Sequence, residues 1–501
     1  MEEEYYENQL KTINDRFENL ERQLDKGNKC VVIQMGSKVT KFGLASDQTP
    51  SIIETTITFR TPKKPLTEES SEEAGDELKK NDAKPFSFPR VEATDEIYSK
   101  IYSGKSLKVY EDKKTKLLIK EMDSDVRFLP TYTKMEEEVA DEVLFEVGVA
   151  KPAPGFTLFR PIFRGNFNTS DNYSEERAMS DLLKIIEYIL YQKLQIPIQS
   201  IEEYDLLFVL PDNFNRKQYE NLFDLVFKSI NCGGICLQLE SVMCAFANCL
   251  ASGLFLDIGY TKTTIVAVDE GIPIDETLTV LDFGIQNIVQ IYERILATKR
   301  NIIAGEFEPP TVWESILPAL GRFNYDVEEE DADKIILRKA KLLLKRVEDD
   351  EATEFMLNLD DTVVALNSMF LEIPELKLGP LDQAIVDSVF KVQSDELRKK
   401  LFLNIMLSGG FAGVEGLTSE VENRVIEKVP DDIEEVAVME PQAEEINQTQ
   451  APFIGGTILP KLDSYSDVLV KRDVYMGTTQ TAEKRTVVGK NYLKERLSFK
   501  W

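Results

Sequence analysis

Apolar residues at alternating spacings of four and three mark the first part of the chain. Between Tyr6 and Leu24 they form an a/d seam flanked by Glu, Lys and Arg. This spacing is typical of an amphipathic helix with one apolar face. We predict a helix over residues 1–28, with Gly27 and Asn28 at its end. Its apolar face either packs on its own domain or docks a partner, and three heptads do not decide between the two.

Short apolar runs alternate with helical patterns along most of the remaining chain. The runs are bounded by turn residues, which favours buried strands. We predict strands at 30–33, 205–211, 235–239, 254–257, 264–268 and 403–407. We predict helices from Glu175, over 216–229, from Glu240 to Leu250, over most of 286–372, and from Ile454. Strands that alternate with helices indicate an α/β chain.

One long segment interrupts this pattern. Residues 61–89 are rich in Pro, Lys, Glu and Ser, and they contain almost no large apolar residue before Phe86. Such a composition cannot bury a core, so we predict a solvated segment over 61–89. A mixed segment follows to about residue 150, with strand-like pieces at 107–110 and 116–120.

The net charge of the chain limits the kinds of partner that it can bind. Asp and Glu number 88 against 59 Lys and Arg, which gives a formal net charge of -29. Such a surface repels phosphate, which argues against a general nucleic-acid binder and suits basic partners such as histones. The alternative is that the acidic surface binds no particular partner and only keeps the chain soluble. The last 31 residues carry eight Lys or Arg, so this tail either approaches linker DNA or is an ordinary solvated end.

Histidine is absent, and this excludes several kinds of catalytic site. Without it there is no Ser-His or Cys-His nucleophile pair, and most zinc sites are excluded. The five cysteines form no CxxC pair, and several lie among apolar residues, so we predict that these are buried thiols in a reducing compartment and that there is no metal site. We find no signal peptide and no apolar run long enough for a membrane helix.

Three glycine-bearing turns each follow an apolar strand. They are Gly36-Ser37, Asp257-Ile258-Gly259 and Ser408-Gly409-Gly410. A single turn of this kind is weak evidence, because glycine also serves ordinary strand ends. In two such turns placed opposite each other, the backbone N–H groups can point toward phosphates. The third turn can leave space for a base or ribose at the start of a helix.

These motifs resemble the actin family. Residues 34–50 resemble its first phosphate loop without a gap, and Asp257-Ile258-Gly259 with Thr263 resembles the second. Residues 407–410 are similar to the adenosine motif, and 453–459 to the C-terminal motif. The resemblance implies an α/β, actin-like fold, shared with sugar kinases and chaperones, with two lobes around a nucleotide cleft. The first lobe would hold 29–253 and 460–501 with the insertion at about 61–133, and the second would hold 254–459.

The resemblance also implies a set of nucleotide-binding residues. These are Gly36, Ser37, Lys41, Asp257, Gly259, Thr263, Gly409 and Gly410. Glu240 stands where the family has the glutamine that positions the attacking water. The family's metal-linked Asp of the first loop is replaced by Gln34, and the Asp-Gly of the second by Tyr260 and Thr261. A neutral amide cannot supply the anionic oxygen that a hard cation prefers.

We therefore expect no catalytic residues, no enzyme activity and no magnesium site. Ser37 and Lys41 can still bind phosphate, so the residues are compatible with ATP as a structural ligand. The alternative is an empty site whose glycines serve only the fold.

Within the family, three stretches resemble the nuclear actin-related subunits of INO-eighty-type chromatin remodellers. They are 141–165, 378–430 and 494–501. The resemblance implies a non-polymerising nuclear scaffold that binds core histones in the nucleosome, with roles in transcription and DNA repair. Its partners would be actin and a second actin-related protein on the helical segment of a motor ATPase. The alternatives are a subunit of a Swi/Snf-type remodeller, a cytoskeletal complex, or an ATPase of the sugar-kinase type.

Overall fold

The computed structural model describes most of the two predicted lobes. The described residues are 27–60, 117–126, 143–145, 156–169, 173–215, 217–300, 317, 321–323, 335–345, 352–373, 379–441 and 447–476. The predicted N-terminal helix up to residue 26, most of the insertion, the strand at 107–110 and the basic residues of the tail after Lys471 and Arg472 lie outside these ranges. Among the described residues, no helix is long and apolar enough to cross a membrane.

The first sheet has six strands, and its central strands are buried. Strand Cys30–Met35 is buried throughout and pairs in parallel with Asp205–Leu210, as expected of continuous apolar runs. The order across the sheet is Val470–Lys471, Gly234–Leu239, Asp205–Leu210, Cys30–Met35, Val39–Leu44 and Ser51–Glu54. The strand predictions for 30–33, 205–211 and 235–239 are confirmed.

Helices Glu175–Glu187 and Lys217–Ser229 join the core of this sheet. The first begins after Ser174, whose hydroxyl accepts a hydrogen bond from the backbone N–H of Arg177 at 3.3 Å. A π-helical turn at Tyr188–Lys193 and a 3₁₀ helix at Ile198–Glu203 lead into strand Asp205–Leu210.

The second sheet has five strands and a separate core. Its order is Ile272–Leu281, Thr263–Asp269, Gly253–Ile258, Ile405–Gly409 and Val438–Met439. Gly253–Ile258 and Ile405–Gly409 are parallel, so their carboxyl ends meet at one edge. The described α-helices in this part of the chain are Ile285–Arg300, Asp360–Asn367, Leu381–Phe390, Asp395–Leu403 and Leu417–Ile426.

The prediction that most of 286–372 is helical was wrong in its middle. Ile335–Lys345 and Ala352–Asn358 are antiparallel strands, and Ile335–Lys345 also pairs in parallel with Leu117–Val126. Residues 335–345 mix Ile and Leu with Lys at spacings that suit either structure, and strand pairing overrides that weak local preference. Strand Leu117–Val126 confirms the strand prediction at 116–120. A further small sheet joins Val143–Phe145, Ile57–Arg60 and Phe156–Phe159, and Ile162–Phe163 pairs with Asn166–Phe167.

Two helices pack against each other where the two sheets approach. They are Glu240–Ala247 and Ala451–Ile458. Cys244 and Ala451 form a small apolar cluster with Phe255 and Met406 of the second sheet. The helix predicted from Ile454 is present but begins earlier, at Ala451, with Pro452 in its first turn. Short helices at Tyr465–Val468 and Arg472–Met476 follow.

Candidate functional site

Two equivalent hairpin turns face each other at the edges of the two sheets. In the first, the N–H of Gly36 donates to the carbonyl of Val39 at 3.1 Å, and Ser37 and Lys38 form the tip. In the second, the N–H of Gly259 donates to the carbonyl of Lys262 at 2.9 Å, and Tyr260 and Thr261 form the tip. Each turn follows a strand that is paired in parallel with a neighbour.

A cleft of about 330 Å³ lies between these turns. It brings together residues that are far apart in sequence, and it contains most of the predicted nucleotide-binding set. The predicted residues that line it are Gly36, Ser37, Lys41, Glu240, Asp257, Gly259, Gly409 and Gly410. Thr263 is different: its buried hydroxyl donates to the carbonyl of Phe283 at 3.0 Å, which gives it a role in holding the hairpin.

Sequence reasoning missed several residues that line the cleft. They are Lys38, Val39, Gly165, Pro211, Lys262, Ile285 and Thr449. Lys38 and Lys262 lie in the turns already identified, so their charge was a usable signal. Gly165, Ile285 and Thr449 come from distant segments, and only the fold brings them to the cleft.

Gly409 has a conformation and a position that require glycine. Its φ of 87° lies in the left-handed region, and a Cβ there would be 2.4 Å from the carbonyl oxygen of Ile258. Glycine here lets the end of its strand lie close to the end of the neighbouring strand, Gly253–Ile258.

Glu240 is buried at the base of the cleft. It is 6% exposed, and its Oε1 accepts a hydrogen bond from Nε2 of Gln34 at 2.9 Å. Burial, followed by the charge of Asp257, raises the pKa of Glu240 to about 8. Its carboxyl group is therefore mostly protonated at neutral pH.

Asp212 lies beside the cleft wall and shares this electrostatic environment. Its carboxylate accepts from the hydroxyl of Ser241 at 2.5 Å and from the Ser241 N–H at 3.3 Å. Burial raises the pKa of Asp212 to about 6, against the opposing effect of these hydrogen bonds. Two acidic groups near the cleft thus bind protons more tightly than in water.

Lys41 is held by backbone from another part of the chain. Its Nζ donates to the carbonyl oxygen of Thr449. Burial lowers the pKa of Lys41, and the nearby Glu240 and Asp257 oppose that effect. The side chain remains at the cleft wall, in reach of an anion that enters.

Side chains connect the two turns directly. The hydroxyl of Thr261 donates to Oγ of Ser37 at 3.0 Å, and the N–H of Arg164 donates to Oγ1 of Thr261 at 3.1 Å. Lys38 Nζ lies 5.0 Å from the centre of the Tyr260 ring. The residues that replace the family's Asp-Gly pair therefore join the two sides of the cleft.

The cleft fits a nucleotide better than it fits a divalent cation. Glycine backbone and lysine side chains offer phosphate ligands, and Nζ of Lys262 is buried without a hydrogen-bond partner in the part of the chain that the structure describes. Within the described ranges, no three Asp, Glu, Cys or His side chains form a potential metal-binding group. Gln34 directs its amide nitrogen to Glu240, and its amide oxygen has no hydrogen-bond partner among the described residues, so a neutral oxygen stands where the family has a carboxylate.

Comparison with known proteins agrees with this arrangement. The family model for actin matches residues 25–312 and 352–486. Actin-related protein 9 of Arabidopsis thaliana is 25% identical over 380 residues, which cover 65% of this chain and 62% of that protein. Probable actin-related protein 8 of Schizosaccharomyces pombe is 24% identical over 290 residues, covering 54% of this chain and 43% of that protein.

Further similarity extends over more of the chain. Actin-related protein 8 of Aedes aegypti is 22% identical over 438 residues, covering 71% of this chain and 76% of that protein. The solved structure of human actin-related protein Arp8 in its ATP-bound state has a TM-score of 0.72 at 18% identity, covering 94% of this chain and 96% of that one. The predicted α/β, two-lobed fold is confirmed, and the chain belongs to the actin family.

Proposed function

We propose that this chain is a non-polymerising nuclear actin-related protein that serves as a scaffold subunit of an INO-eighty-type chromatin remodeller. The observation that carries the proposal is its similarity to proteins named actin-related protein 8 from yeast, insect and vertebrate sources. The partners in this proposal are actin and a second actin-related protein on the motor ATPase, together with core histones.

ATP in the cleft would act as a structural ligand that joins the lobes. The human Arp8 structure, which was solved in an ATP-bound state, supports this part of the proposal. Gln34 replaces the family's metal-linked Asp, and a neutral amide does not supply the negative charge that would hold a magnesium ion and its water molecules in place. We therefore propose binding without efficient hydrolysis.

Purification of the tagged chain from nuclear extract, with identification of its partners, tests the assembly. We expect actin, another actin-related protein and an INO-eighty-type motor. Recovery of a Swi/Snf-type motor would move the chain to the alternative remodeller, and recovery with cytoskeletal proteins would reject the chromatin function.

A turnover assay with the purified chain tests the nucleotide part separately. We expect ATP to remain intact after prolonged incubation with magnesium. Steady phosphate release above that of a Glu240→Ala variant would overturn the non-enzymatic assignment and would make Glu240 a catalytic candidate.

A further inference from the structure

Lys262 has an unusual environment in the described part of the cleft. It is 4% exposed, and its Nζ is buried without a hydrogen-bond partner among the described residues. Burying an ammonium group without a partner is costly, and an anion that accepts from it removes that cost. Lys262 is one of the residues that line the cleft between the two turns, so an anion bound there would lie next to it.

The position of Lys262 follows from the equivalence of the two hairpins. Gly259 bonds to Lys262 across the second turn as Gly36 bonds to Val39 across the first. The same backbone position therefore carries an apolar side chain in one hairpin and an ammonium group in the other.

The stem of Lys262 is held in place by the neighbouring loop. The backbone at Gly165 packs so closely that a Cβ there would lie 2.7 Å from Cε of Lys262. The ammonium group is thus positioned by packing before any ligand binds, which lowers the entropy cost of binding one.

Two other ammonium groups line the cleft, and each already has a contact within the chain. Lys41 donates to the carbonyl of Thr449, and Lys38 lies over the Tyr260 ring. The positive charge of Lys262 acts to lower the pKa values of Glu240 and Asp212. No hydrogen bond joins either carboxyl group to Nζ of Lys262 among the described residues.

We propose that Lys262 binds the β- or γ-phosphate of the nucleotide and supplies the positive charge that a divalent cation would otherwise bring, so that ATP binds without metal. This inference rests on the proposed binding of ATP. It explains how a cleft with Gln34 in place of a carboxylate can still hold a polyphosphate, because the lysine makes a charge-assisted hydrogen bond directly to it.

Calorimetric titration of the full chain with ATP, in EDTA and in excess magnesium, tests the proposal. We expect the two dissociation constants to agree within about threefold, since no metal contributes. Lys262→Met should weaken binding by about tenfold or more in both buffers, the loss expected for one charge-assisted hydrogen bond. Lys391→Met is the matched control, because this exposed lysine bonds Thr279 on the second lobe and should not change ATP binding.

Thermal unfolding of the ligand-free variants separates phosphate binding from a structural role. Loss of an unpartnered ammonium should leave the melting temperature of Lys262→Met unchanged or higher. A lower melting temperature with unchanged ATP affinity would overturn the proposal and make Lys262 a counter-charge for Glu240 and Asp212.

The outcomes also distinguish this inference from the proposed function. If the chain binds ATP only with magnesium, the nucleotide part of the function stands and the role of Lys262 is wrong. If the chain binds no ATP in either buffer, both are wrong, and the chromatin assignment is then decided by the partners alone.

Discussion

At the residue scale, Glu240 shows how burial changes the chemistry of a position that the sequence alone can identify. The sequence indicates a carboxylate where the family has an amide, and an ionised Glu240 would repel phosphate. The structure buries this carboxyl beside Gln34 and Asp257, and its pKa rises to about 8. A protonated Glu240 is neutral, and the position then resembles the amide that it replaces.

The raised pKa of Glu240 predicts a pH dependence of stability. Below its ordinary pKa of 4.5 the group is protonated in both the folded and the unfolded chain, so it contributes nothing. Between 4.5 and about 8 only the folded chain keeps the proton, so the free energy of unfolding falls as pH rises. The maximal slope from one group is about 1.4 kcal/mol per pH unit.

Glu240→Gln should remove this contribution. We expect the variant to unfold at a higher denaturant midpoint than the wild type at pH 8, with a smaller difference at pH 5. Burial also raises the pKa of Asp212 and Asp205 to about 6. These two groups therefore keep part of the pH dependence of the unfolding free energy in both proteins. Parallel stability profiles of the two proteins between pH 5 and 8 would contradict the raised pKa.

Gln34 gives a second prediction at this scale. Gln34→Asp places a carboxylate in the part of the cleft that also contains Glu240 and Asp257. In EDTA, we expect this variant to bind ATP about tenfold more weakly, because the cleft gains negative charge. Magnesium should recover much of that affinity, since the new carboxylate suits a hard cation.

Titration of Gln34→Asp with ATP in the two buffers measures both effects. Gln34→Asn, which keeps a neutral amide, is the matched control and should respond to magnesium as the wild type does. Equal ATP affinity of the Asp variant in both buffers would show that position 34 does not govern the metal response.

At the scale of elements, the helix Ala451–Ile458 links the two lobes. Phe453 is fully buried in the core of the first sheet, while Ala451 packs with Phe255 and Met406 of the second. Residues of this helix therefore pack in two apolar clusters, and the position of the helix depends on both sets of contacts.

Phe453→Ala should destabilise the chain strongly. Removal of a buried phenylalanine leaves a cavity and costs about 3–5 kcal/mol. Chemical denaturation measures the effect, and Leu462→Ala is the control, because that side chain is 39% exposed and should cost less than about 1 kcal/mol. A midpoint for Phe453→Ala equal to that of the control would show that the helix does not pack as described.

At the scale of the whole molecule, the cleft couples the lobes through contacts of its own. Ser37 and Thr261 bond across it, and the guanidinium of Arg164 pairs with Asp282 at 3.0 Å. A nucleotide that touches both turns adds to these contacts without replacing the hydrogen bonds that hold each turn.

Bound ATP should therefore raise the melting temperature of the whole chain. A ligand at 100 times its dissociation constant stabilises the folded state by about 2.7 kcal/mol. Thermal unfolding at increasing ATP concentration measures this shift, and GTP serves as the comparison for the base. An ATP-independent melting temperature would favour the empty site.

Much of the fold was determined by the sequence alone, because local patterns fix it. Continuous apolar runs such as 30–33 and 254–257 specify buried strands, and glycine after each strand specifies the turns that form the cleft. Gly36, Asp257 and Gly409 could be assigned to the cleft because their motifs keep the family's spacing. The strands at 335–345 and 352–358 could not be predicted, because their residues are compatible with a helix and only pairing with another strand selects the extended structure.

The tertiary structure decided the electrostatics of the cleft. Burial and convergence of distant segments determine that Glu240 keeps its proton, that Lys41 bonds to Thr449, and that Lys262 has no hydrogen-bond partner among the described residues. These properties depend on distances between residues separated by up to about four hundred positions, as with Lys41 and Thr449. Composition gives the charge of a side chain, and only the folded chain determines which groups surround it and how much water remains.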